Sequence, residues 1–557
     1  MLASMEIPNR IGLSASKMTR AEVPMTSGEQ VTLHLEVGAE PIVVTVWELF
    51  EFCKNRPERL KISMNRGATF FERIKTLCNE EFNADLDGDP NILQLILQVE
   101  VPTNGCPLKA EKRAWEVNKE IYPRNEYANA QTLYGVELKI SLLLAEVSRR
   151  GLAVHLEEFN KTKREIQDRR IDLNNQICKI LGRDPNFFKV TSPSQLAGAL
   201  YNTSDQLPPE PVPGANKKSD ARKIAELPGL GLKCPQRKVS VASDVISKIK
   251  HPVIKLLLEF KNLEAILTRD FPHVVEFIRK GRLHPEFLPL GGDGTSRIYT
   301  EDPNLIGLSK YTRKFIVPDP GRVFCVMDYV SAELIIMSGI SGETSIIKLL
   351  DAGIDPHKDI FSRVTGKPFD QVTEEERDIG KALNYAPLYG QEVWGFSERV
   401  GISIQEATKF LMQFWHQRPN LESWIRSREQ KSRESGQTET AIGRRRLLPD
   451  LSSPEPYAVK RALRQSVNTA IQGSCADILK MGMLILDGSS DPKLKEHRVR
   501  IECPVFDAVL LSFDESALQD KNGIEESLGG IFNIPIGGVK MRSKFWWSDK
   551  SWAECKG

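Results

Sequence analysis

Two cations and two aromatic residues in the second half of the chain have the types and the spacing to hold a nucleoside triphosphate. They follow one another at steps of four: Arg377, Lys381, Tyr385 and Tyr389. Residues at this spacing share one face of a helix, so the cations can meet the phosphates while the rings meet the sugar and base. An exposed helix face with its rings turned into the core would show the same spacing, so both interpretations stay open at this point.

A helix from Thr373 to about Gly390 is the element that would carry these side chains. Thr373 and Glu376 stand three residues apart, which is the spacing of a capping box and predicts where the helix begins. Pro387 lies inside this span, where it removes a backbone hydrogen bond and is expected to kink the helix axis.

Two aspartates, distant in sequence, lie at the ends of strand-like apolar segments. Asp328 follows the apolar run 322–327, and Asp507 is flanked on both sides by strand-like residues, which predicts the tip of a tight hairpin. A carboxylate at the end of a buried strand is costly unless it is paired or bound to a metal. Either aspartate alone could be a turn or capping residue. Together with a cationic helix they have the layout of a two-metal phosphoryl-transfer site.

These motifs resemble those of the family A DNA polymerases, the DNA polymerase I type. The family's first motif, Asp-Tyr-Ser-x-x-Glu-Leu, is similar to residues 328–334, and its second, Arg-x3-Lys-x3-aromatic-x3-Tyr-Gly, is matched by residues 377–390. Of the third motif, His-Asp-Glu, only Asp507 is present, since Phe506 and Ala508 replace its neighbours. Secondary matches are Thr295-Ser-Arg297, Asp302-Pro-Asn-Leu305, Gly443-Arg-Arg445, and Arg464, Asn468 and Gln472 with Gly473.

The resemblance implies an α+β fold, a right-hand polymerase with palm, fingers and thumb, preceded by a small exonuclease-like α/β domain. The expected boundaries are 1–134 for the exonuclease-like domain, 135–290 for the thumb, 291–350 for the first part of the palm, 351–474 for the fingers and 475–557 for the second part of the palm. At 557 residues the chain is too long for a single core, which agrees with several domains.

Composition favours an intracellular globular protein. Hydrophobic residues make up 40% and charged residues 27%, which is ordinary for such a protein. No apolar run is long enough to span a membrane and no signal segment is visible. The nine cysteines form no Cys-x-x-Cys pair, so neither a zinc module nor a disulfide framework is indicated. We expect a cytoplasmic monomer without a membrane partner, nucleoid-associated or in a phage-infected cell, with an organelle also open.

A basic segment between Lys217 and Lys255 would grip DNA. It holds ten Lys or Arg against three Asp or Glu, between two stretches with helical periodicity, 137–181 and 251–278. A basic tip between long helices can hold duplex phosphates without reading sequence. The residues alone would be explained equally well by a solvated linker with incidental charge. The family resemblance implies instead that this segment belongs to the thumb. The candidate contacts are Lys217, Lys218, Arg237 and Lys238.

Further DNA contacts are expected after the cationic helix. Arg445 lies in a basic turn, and Arg464, Asn468 and Gln472 lie four apart on a helix face. Asn and Gln can donate to the acceptors that every base pair shows in the minor groove. A helix packed through polar contacts is the alternative. The resemblance adds Tyr389 and Gly390 on the base or template side.

The N-terminal part departs from the family. Aligning Tyr127–Gln131 with the family's Tyr-x3-Asp motif puts Gln131 where a metal-binding Asp belongs, and Phe71-Glu72 stands where an aromatic-Asp pair belongs. In place of an Asp-x-Glu there is only His34-Leu-Glu36. An amide cannot replace a carboxylate as an Mg²⁺ ligand without loss of charge. We therefore expect an inactive domain and no 3′–5′ proofreading.

The resemblance implies template-directed DNA synthesis, in which dNTPs are added to the 3′-hydroxyl of primer-template DNA. Two Mg²⁺ ions would be held by Asp328 and Asp507. The triphosphate would be neutralised by Arg297, Arg377 and Lys381, and Lys381 would also protonate the pyrophosphate leaving group. The nucleotide would further meet Tyr329 and Tyr385, while Glu333 would exclude a 2′-hydroxyl.

Two other functions stay open. A single-subunit RNA polymerase shares the Asp, Lys and Asp plan, although Glu333 argues against it because ribonucleotides need that space. A catalytically impaired, DNA-binding relative is suggested by Phe506 and Ala508.

Overall fold

The computed structural model describes residues 10–15, 30–34, 42–45, 60–63, 84–88, 124–201, 229–235, 239–291, 294–386, 390 and 392–555, and before residue 132 it describes the backbone alone. Lys217, Lys218, Arg237, Lys238, Pro387 and Tyr389 lie outside these ranges, as do Glu36, Phe71 and Glu72. The predictions made for these residues therefore stay predictions.

A five-stranded mixed sheet opens the chain. Its strands are β1 (Arg10–Ala15), β2 (Gln30–His34), β3 (Ile42–Thr45), β4 (Leu60–Ser63) and β5 (Ala84–Gly88), in the order β3-β2-β1-β4-β5. The first three strands pair antiparallel, whereas β1, β4 and β5 pair parallel. His34 ends β2, and Gln131 lies in the helix that follows the sheet.

A helical region follows, in which long helices pack side by side. It comprises α1 (Arg124–Arg150), β6 (Leu152–Ala153), α2 (Leu156–Leu181), α3 (Pro193–Tyr201), α4 (Ser243–Ile246), α5 (Pro252–Ala265), α6 (Phe271–Glu276), β7 (Ile278–Arg279) and β8 (Arg282–Leu283). The side chain of His155 caps the start of α2, and Gly182 ends it with a φ of +63°, a conformation that suits glycine. Helix α5 packs along α2 through an apolar stripe that includes Leu257 and Phe260.

The next segment leads into the central sheet. Its elements are β9 (Glu286–Leu288), β10 (Tyr299–Glu301), α7 (Lys310–Arg313), β11 (Arg322–Tyr329) and α8 (Ala332–Ser341). Strand β11 is apolar along nearly its whole length because both of its faces are covered.

A second helical region is inserted after α8. It comprises α9 (Ser345–Asp351), α10 (Pro356–Thr365), α11 (Glu374–Tyr385), α12 (Val393–Val400), α13 (Ile404–His416), α14 (Pro419–Ser435), β12 (Gln437–Glu439), β13 (Arg445–Leu447) and α15 (Pro456–Asn468). The predicted capping box of α11 is confirmed: the Thr373 side chain accepts from Glu376 N at 3.3 Å, and Glu376 accepts from Thr373 N at 2.9 Å.

The predicted end of this helix near Gly390 is wrong. Helix α11 ends at Tyr385, and Gly390 lies in a turn with a φ of +52°. Proline has no N–H to donate to a helical carbonyl, so the helical hydrogen-bond pattern cannot continue through Pro387.

The chain then returns to complete the central sheet. The remaining elements are α16 (Ser474–Asp487), α17 (Pro492–Glu496), β14 (Arg500–Val505), β15 (Ala508–Asp514), α18 (Lys521–Phe532), β16 (Pro535–Ile536), β17 (Val539–Lys540) and β18 (Ser543–Ser548). The central sheet has the order β14-β15-β11-β18 and is antiparallel throughout.

The central sheet separates two hydrophobic cores. Alternate residues of β11 point to opposite faces. Cys325 and Met327 belong to a core shared with α8, α16 and the second helical region, whereas Phe324 and Val326 belong to a core shared with the first helical region. We call these faces the second-region face and the first-region face of the sheet.

One continuous helical stretch, Pro456–Asp487, is long and apolar enough by composition to cross a membrane. Its mean hydropathy reaches 1.2, but 83% of that window is buried inside the fold. Its apolar residues are thus used by the protein core, as in any central helix.

Candidate active site

The central sheet brings the two aspartates together. Asp328 pairs across β11 and β15 with Ala508, and Asp507 directly precedes Ala508. Val505 pairs with Ala508, so Phe506 and Asp507 form the turn between β14 and β15, and the predicted hairpin tip is confirmed. Phe506 has a φ of +56° in this tight turn, and its side chain is exposed. Both carboxylates therefore lie at one end of the sheet.

A cavity of about 380 Å³ opens at this end of the sheet. Five of the predicted site residues line it: Asp328, Tyr329, Glu333, Tyr385 and Asp507. Tyr385 is the last residue of α11, so the cavity joins the sheet to the second helical region. The predicted convergence of the aspartates with the aromatic end of α11 is thus present in the structure.

Glu333 is held in a fixed position beside the aspartates. Its Oε1 accepts a hydrogen bond from Gln472 Nε2 at 2.8 Å and lies 3.4 Å from Arg297 Nη2. Burial raises the pKa of the Glu333 carboxyl, while the bonds from Gln472 and Arg297 oppose that change. Arg297 also lies over the Phe506 ring at 5.9 Å. Arg297, a predicted triphosphate ligand, therefore contacts Glu333, the residue predicted to exclude a 2′-hydroxyl.

Gln472 and Tyr329 both have polar partners within the protein. Gln472 is only 6% exposed and its amide Nε2 donates to Glu333, so this side chain helps to hold that carboxylate in place. Tyr329 is buried and its hydroxyl donates to the carbonyl of Phe532 at 3.0 Å, while the residue also lines the cavity. The nucleotide contact of Tyr329 and the DNA contact of Gln472 stay predictions. Burial also raises the pKa of Tyr329.

The two cations of α11 have different surroundings. Arg377 Nε lies 2.7 Å from Asp355 Oδ2, and Asp355 in turn caps the start of α10. Lys381, one turn further on, is exposed and has no ion-pair partner within the described part of the chain. A triphosphate would have to displace Asp355 from Arg377, but would find Lys381 accessible.

Buried hydrogen bonds fix the end of α11 that carries Tyr385. Asn384 donates to the Pro356 carbonyl at 2.9 Å, contacts His357 Nδ1 at 3.0 Å and accepts from Arg418 at 3.0 Å. Burial lowers the pKa of His357 to about 4, so this histidine is neutral near pH 7. The His357 and Tyr385 rings lie 5.9 Å apart.

The remaining predicted DNA contacts lie along α15 and β13. A Cβ atom on Gly390 would come within 2.4 Å of Arg464 Cγ, so the turn after α11 needs glycine to pack against Arg464. Asn468 is half-buried, and its Oδ1 has no hydrogen-bond partner among the described residues. Arg445 is half-buried in β13.

The basic turn hides a residue that sequence reasoning missed. Arg444 is buried, with Nε 2.7 Å from Asp477 Oδ1 and Nη2 2.6 Å from Glu137 Oε1. Lys480 lies 2.8 Å from the same Glu137 atom. Nothing in the run of three arginines distinguishes Arg444 from Arg445, because its partners come from distant helices. The expected DNA contact of the turn thus excludes Arg444.

The donor set suits a hard divalent cation. Asp328 and Asp507 provide carboxylate oxygens at one end of the sheet, which are the ligands Mg²⁺ prefers. In the described residues no group of three or more His, Cys, Asp or Glu forms a complete metal cage. Two carboxylates completed by substrate oxygens fit Mg²⁺, which seldom uses an all-protein cage.

Comparison with known proteins identifies similar sequences. Residues 156–528 match the model of DNA polymerase family A. The chain is 27% identical to DNA polymerase I of Caldicellulosiruptor bescii over 467 residues, which cover 81% of this chain and 49% of that protein. It is 25% identical to the thermostable DNA polymerase I of Thermus aquaticus over 412 residues, which cover 72% of this chain and 46% of that protein. The chain thus spans about half the length of these relatives.

A solved structure has a similar fold. The POL domain of Pol1 from M. smegmatis, in complex with DNA primer-template and dNTP, superposes with a TM-score of 0.79 at 20% identity, covering 98% of this chain and 96% of that chain. This likeness confirms the predicted α+β right-hand fold.

Proposed function

The chain belongs to DNA polymerase family A, and we propose that it is a DNA-directed DNA polymerase without 3′–5′ proofreading. It would add dNTPs to the 3′-hydroxyl of a primer on template DNA, as an intracellular monomer. One observation carries the proposal: Asp328, Asp507, Glu333 and Tyr385 line a single cavity between the central sheet and α11. In this assignment the central sheet is the palm, the second helical region the fingers and the first helical region the thumb.

The side chains have distinct parts in the proposed reaction. Asp328 and Asp507 would hold two Mg²⁺, which when bound lower the pKa of the primer hydroxyl and stabilise charge on the α-phosphate. Arg377 would exchange Asp355 for the triphosphate, and Lys381 would neutralise it and donate a proton to the leaving pyrophosphate. Arg445, Arg464 and Asn468 would contact the DNA together with Tyr389 and Gly390.

The absence of proofreading rests on the N-terminal sequence. Gln131, which stands where the family has a metal-binding Asp, falls within α1. His34, at the end of β2, stands where the first carboxylate would be expected. These uncharged or weakly basic side chains cannot replace carboxylates at a two-metal site.

Primer extension with purified protein tests the proposal. We expect extension with dNTPs and Mg²⁺, none with rNTPs, and no shortening of a mismatched primer when nucleotides are withheld. Extension with rNTPs alone would favour an RNA polymerase. Binding of primer-template DNA without any extension would favour the catalytically impaired relative suggested by Phe506 and Ala508.

Glu333→Ala is expected to raise ribonucleotide incorporation about tenfold or more, because it opens the space that a 2′-hydroxyl needs. Relative kcat/KM values for rNTPs and dNTPs measure the effect. Glu333→Gln is the matched control, because it keeps the volume and should keep most of the discrimination. Unchanged rejection of rNTPs by Glu333→Ala would show that another group is the gate.

Tyr385→Phe is expected to reduce the use of dideoxynucleotides by roughly ten- to hundredfold relative to dNTPs. The phenolic hydroxyl would replace the hydrogen bond lost with the 3′-hydroxyl, and an unmade buried bond costs about 1–3 kcal/mol. Competition between ddNTPs and dNTPs measures the ratio, with Tyr457→Phe, an exposed tyrosine outside the cavity, as the control. Equal discrimination by parent and variant would rule out this role for Tyr385.

A further inference from the structure

Arg313 is a cation of the catalytic cavity to which neither sequence motifs nor the proposed mechanism assign a part. It ends the short helix α7, is half-buried, and lines the cavity together with Asp328 and Asp507. Its guanidinium carbon lies over the buried Trp552 ring at 4.6 Å. Stacking on an aromatic face holds a guanidinium plane in place while its N–H groups stay free to donate.

Arg313 has no carboxylate partner among the residues that the structure describes. Its Nε is buried and makes no hydrogen bond. By contrast, the neighbouring Lys314 pairs with Glu165 at 3.7 Å, and the buried Arg322 pairs with Asp514 at 2.8 Å. A half-buried guanidinium without a partner in the protein can bind an anion from outside, and an arginine keeps its charge because it does not lose its proton. The arrangement therefore leaves Arg313 able to bind an anion that the protein itself does not supply.

The position of Arg313 indicates which anion this is. Val326 and Leu510 line the cavity beside it and belong to the first-region face of the sheet. Asp328 lies two residues after Val326 and so points to the same face. Tyr385, on α11 with the triphosphate cations Arg377 and Lys381, belongs to the second helical region. Arg313 thus approaches the aspartates from the side opposite to the triphosphate.

We propose that Arg313 binds a phosphodiester of the primer strand next to its 3′ end, and so positions the primer terminus at Asp328 and Asp507. The inference rests on the proposed function, since only a polymerase places a primer there. The ligand is a phosphate-ester anion, bound by charge-assisted hydrogen bonds from a guanidinium that Trp552 holds in place. Trp552 is anchored by its own backbone N–H, which donates to the Ile316 carbonyl at 2.9 Å.

The test replaces single primer phosphates by neutral methylphosphonates at each of the three linkages nearest the 3′ end. Binding of labelled primer-template is measured by fluorescence anisotropy, without nucleotide. For the parent protein we expect one of these substitutions to weaken binding about tenfold or more. Arg313→Ala should bind unmodified DNA more weakly by a similar factor and lose nothing further at that linkage. Lys314→Ala, which removes a neighbouring charge, should keep the parent's sensitivity.

Three results would overturn the proposal. The first is a parent protein that tolerates all three substitutions, which decides the matter even if Arg313→Ala does not fold. The second is Arg313→Ala that is as sensitive to each linkage as the parent. The third is normal DNA binding together with a raised KM for dNTPs in Arg313→Ala or Arg313→Lys. That result would show that the anion bound by Arg313 is the triphosphate of the nucleotide. Because the binding assay needs no catalysis, a parent that failed to extend primers would contradict the proposed function alone.

Discussion

Asp328→Ala and Asp507→Ala are each expected to abolish primer extension while leaving primer-template binding nearly unchanged. Each change removes one of the two carboxylates at the end of the central sheet, and neither removes a group that contacts phosphate directly. The loss in single-turnover rate should be about a thousandfold or more, which corresponds to roughly 4 kcal/mol of transition-state stabilisation. Ala508 stands where the family has a third carboxylate, so no neighbouring side chain in the turn can take over.

Asp549→Ala is the matched control for both changes. Asp549 is exposed and follows β18 at the opposite end of the same sheet, since Ser548 pairs with Phe324 while Lys544 pairs with Asp328. This variant should extend primers at the parent's rate. Near-normal extension by Asp328→Ala or Asp507→Ala would contradict the two-metal assignment. Loss of DNA binding in either variant would indicate misfolding.

Glu137→Ala is expected to lower the free energy of unfolding by about 3–5 kcal/mol, because it leaves buried cations uncompensated. Glu137 and Asp477 balance Arg444 and Lys480 in a buried group of four charges that joins α1 to α16 and the turn before β13. Burial alone would lower the pKa of Arg444, but Asp477 and Glu137 raise it above its usual value. Urea unfolding measures the loss. Glu146→Ala, an exposed i,i+4 partner of Arg150 on the same helix, should change stability by about 0.5 kcal/mol or less.

The loss in Glu137→Ala should depend on pH. Burial lowers the pKa of Lys480 and Glu137 opposes this, so the variant's Lys480 has a pKa still further below that of the unfolded chain. The unfolded variant then binds more protons than the folded one, and its stability rises with pH. The deficit against the parent should shrink as the pH rises toward the ordinary lysine pKa of about 10.4. A deficit that grows or stays constant as the pH rises would exclude Lys480 as the uncompensated charge.

Features that depend on residues close together in the chain could be predicted from sequence. The start of α11 follows from Thr373 and Glu376, which cap each other within one turn of helix. The hairpin at Asp507 follows from apolar residues on both sides of a short polar break, and strand β11 follows from an apolar run. Together with these local elements, the family motifs predicted the right-hand fold and the convergence of the two aspartates. The helix end was misplaced because α11 stops before Pro387.

What each polar side chain does was decided only by the tertiary structure. Gln472 meets Glu333 across 139 positions, and Arg444 meets Glu137 across 307. Sequence spacing put Gln472 on one helix face with Arg464 and Asn468, and put Arg444 in a basic turn, but it did not reveal Glu333 or Glu137 as their partners. Helix periodicity shows which residues share a face but not what that face contacts. Arg313 belongs to no sequence motif for the same reason, since only the fold brings it to the cavity. The free energy of a buried charge depends on the partner that packing brings to it, and that partner is set by the fold as a whole.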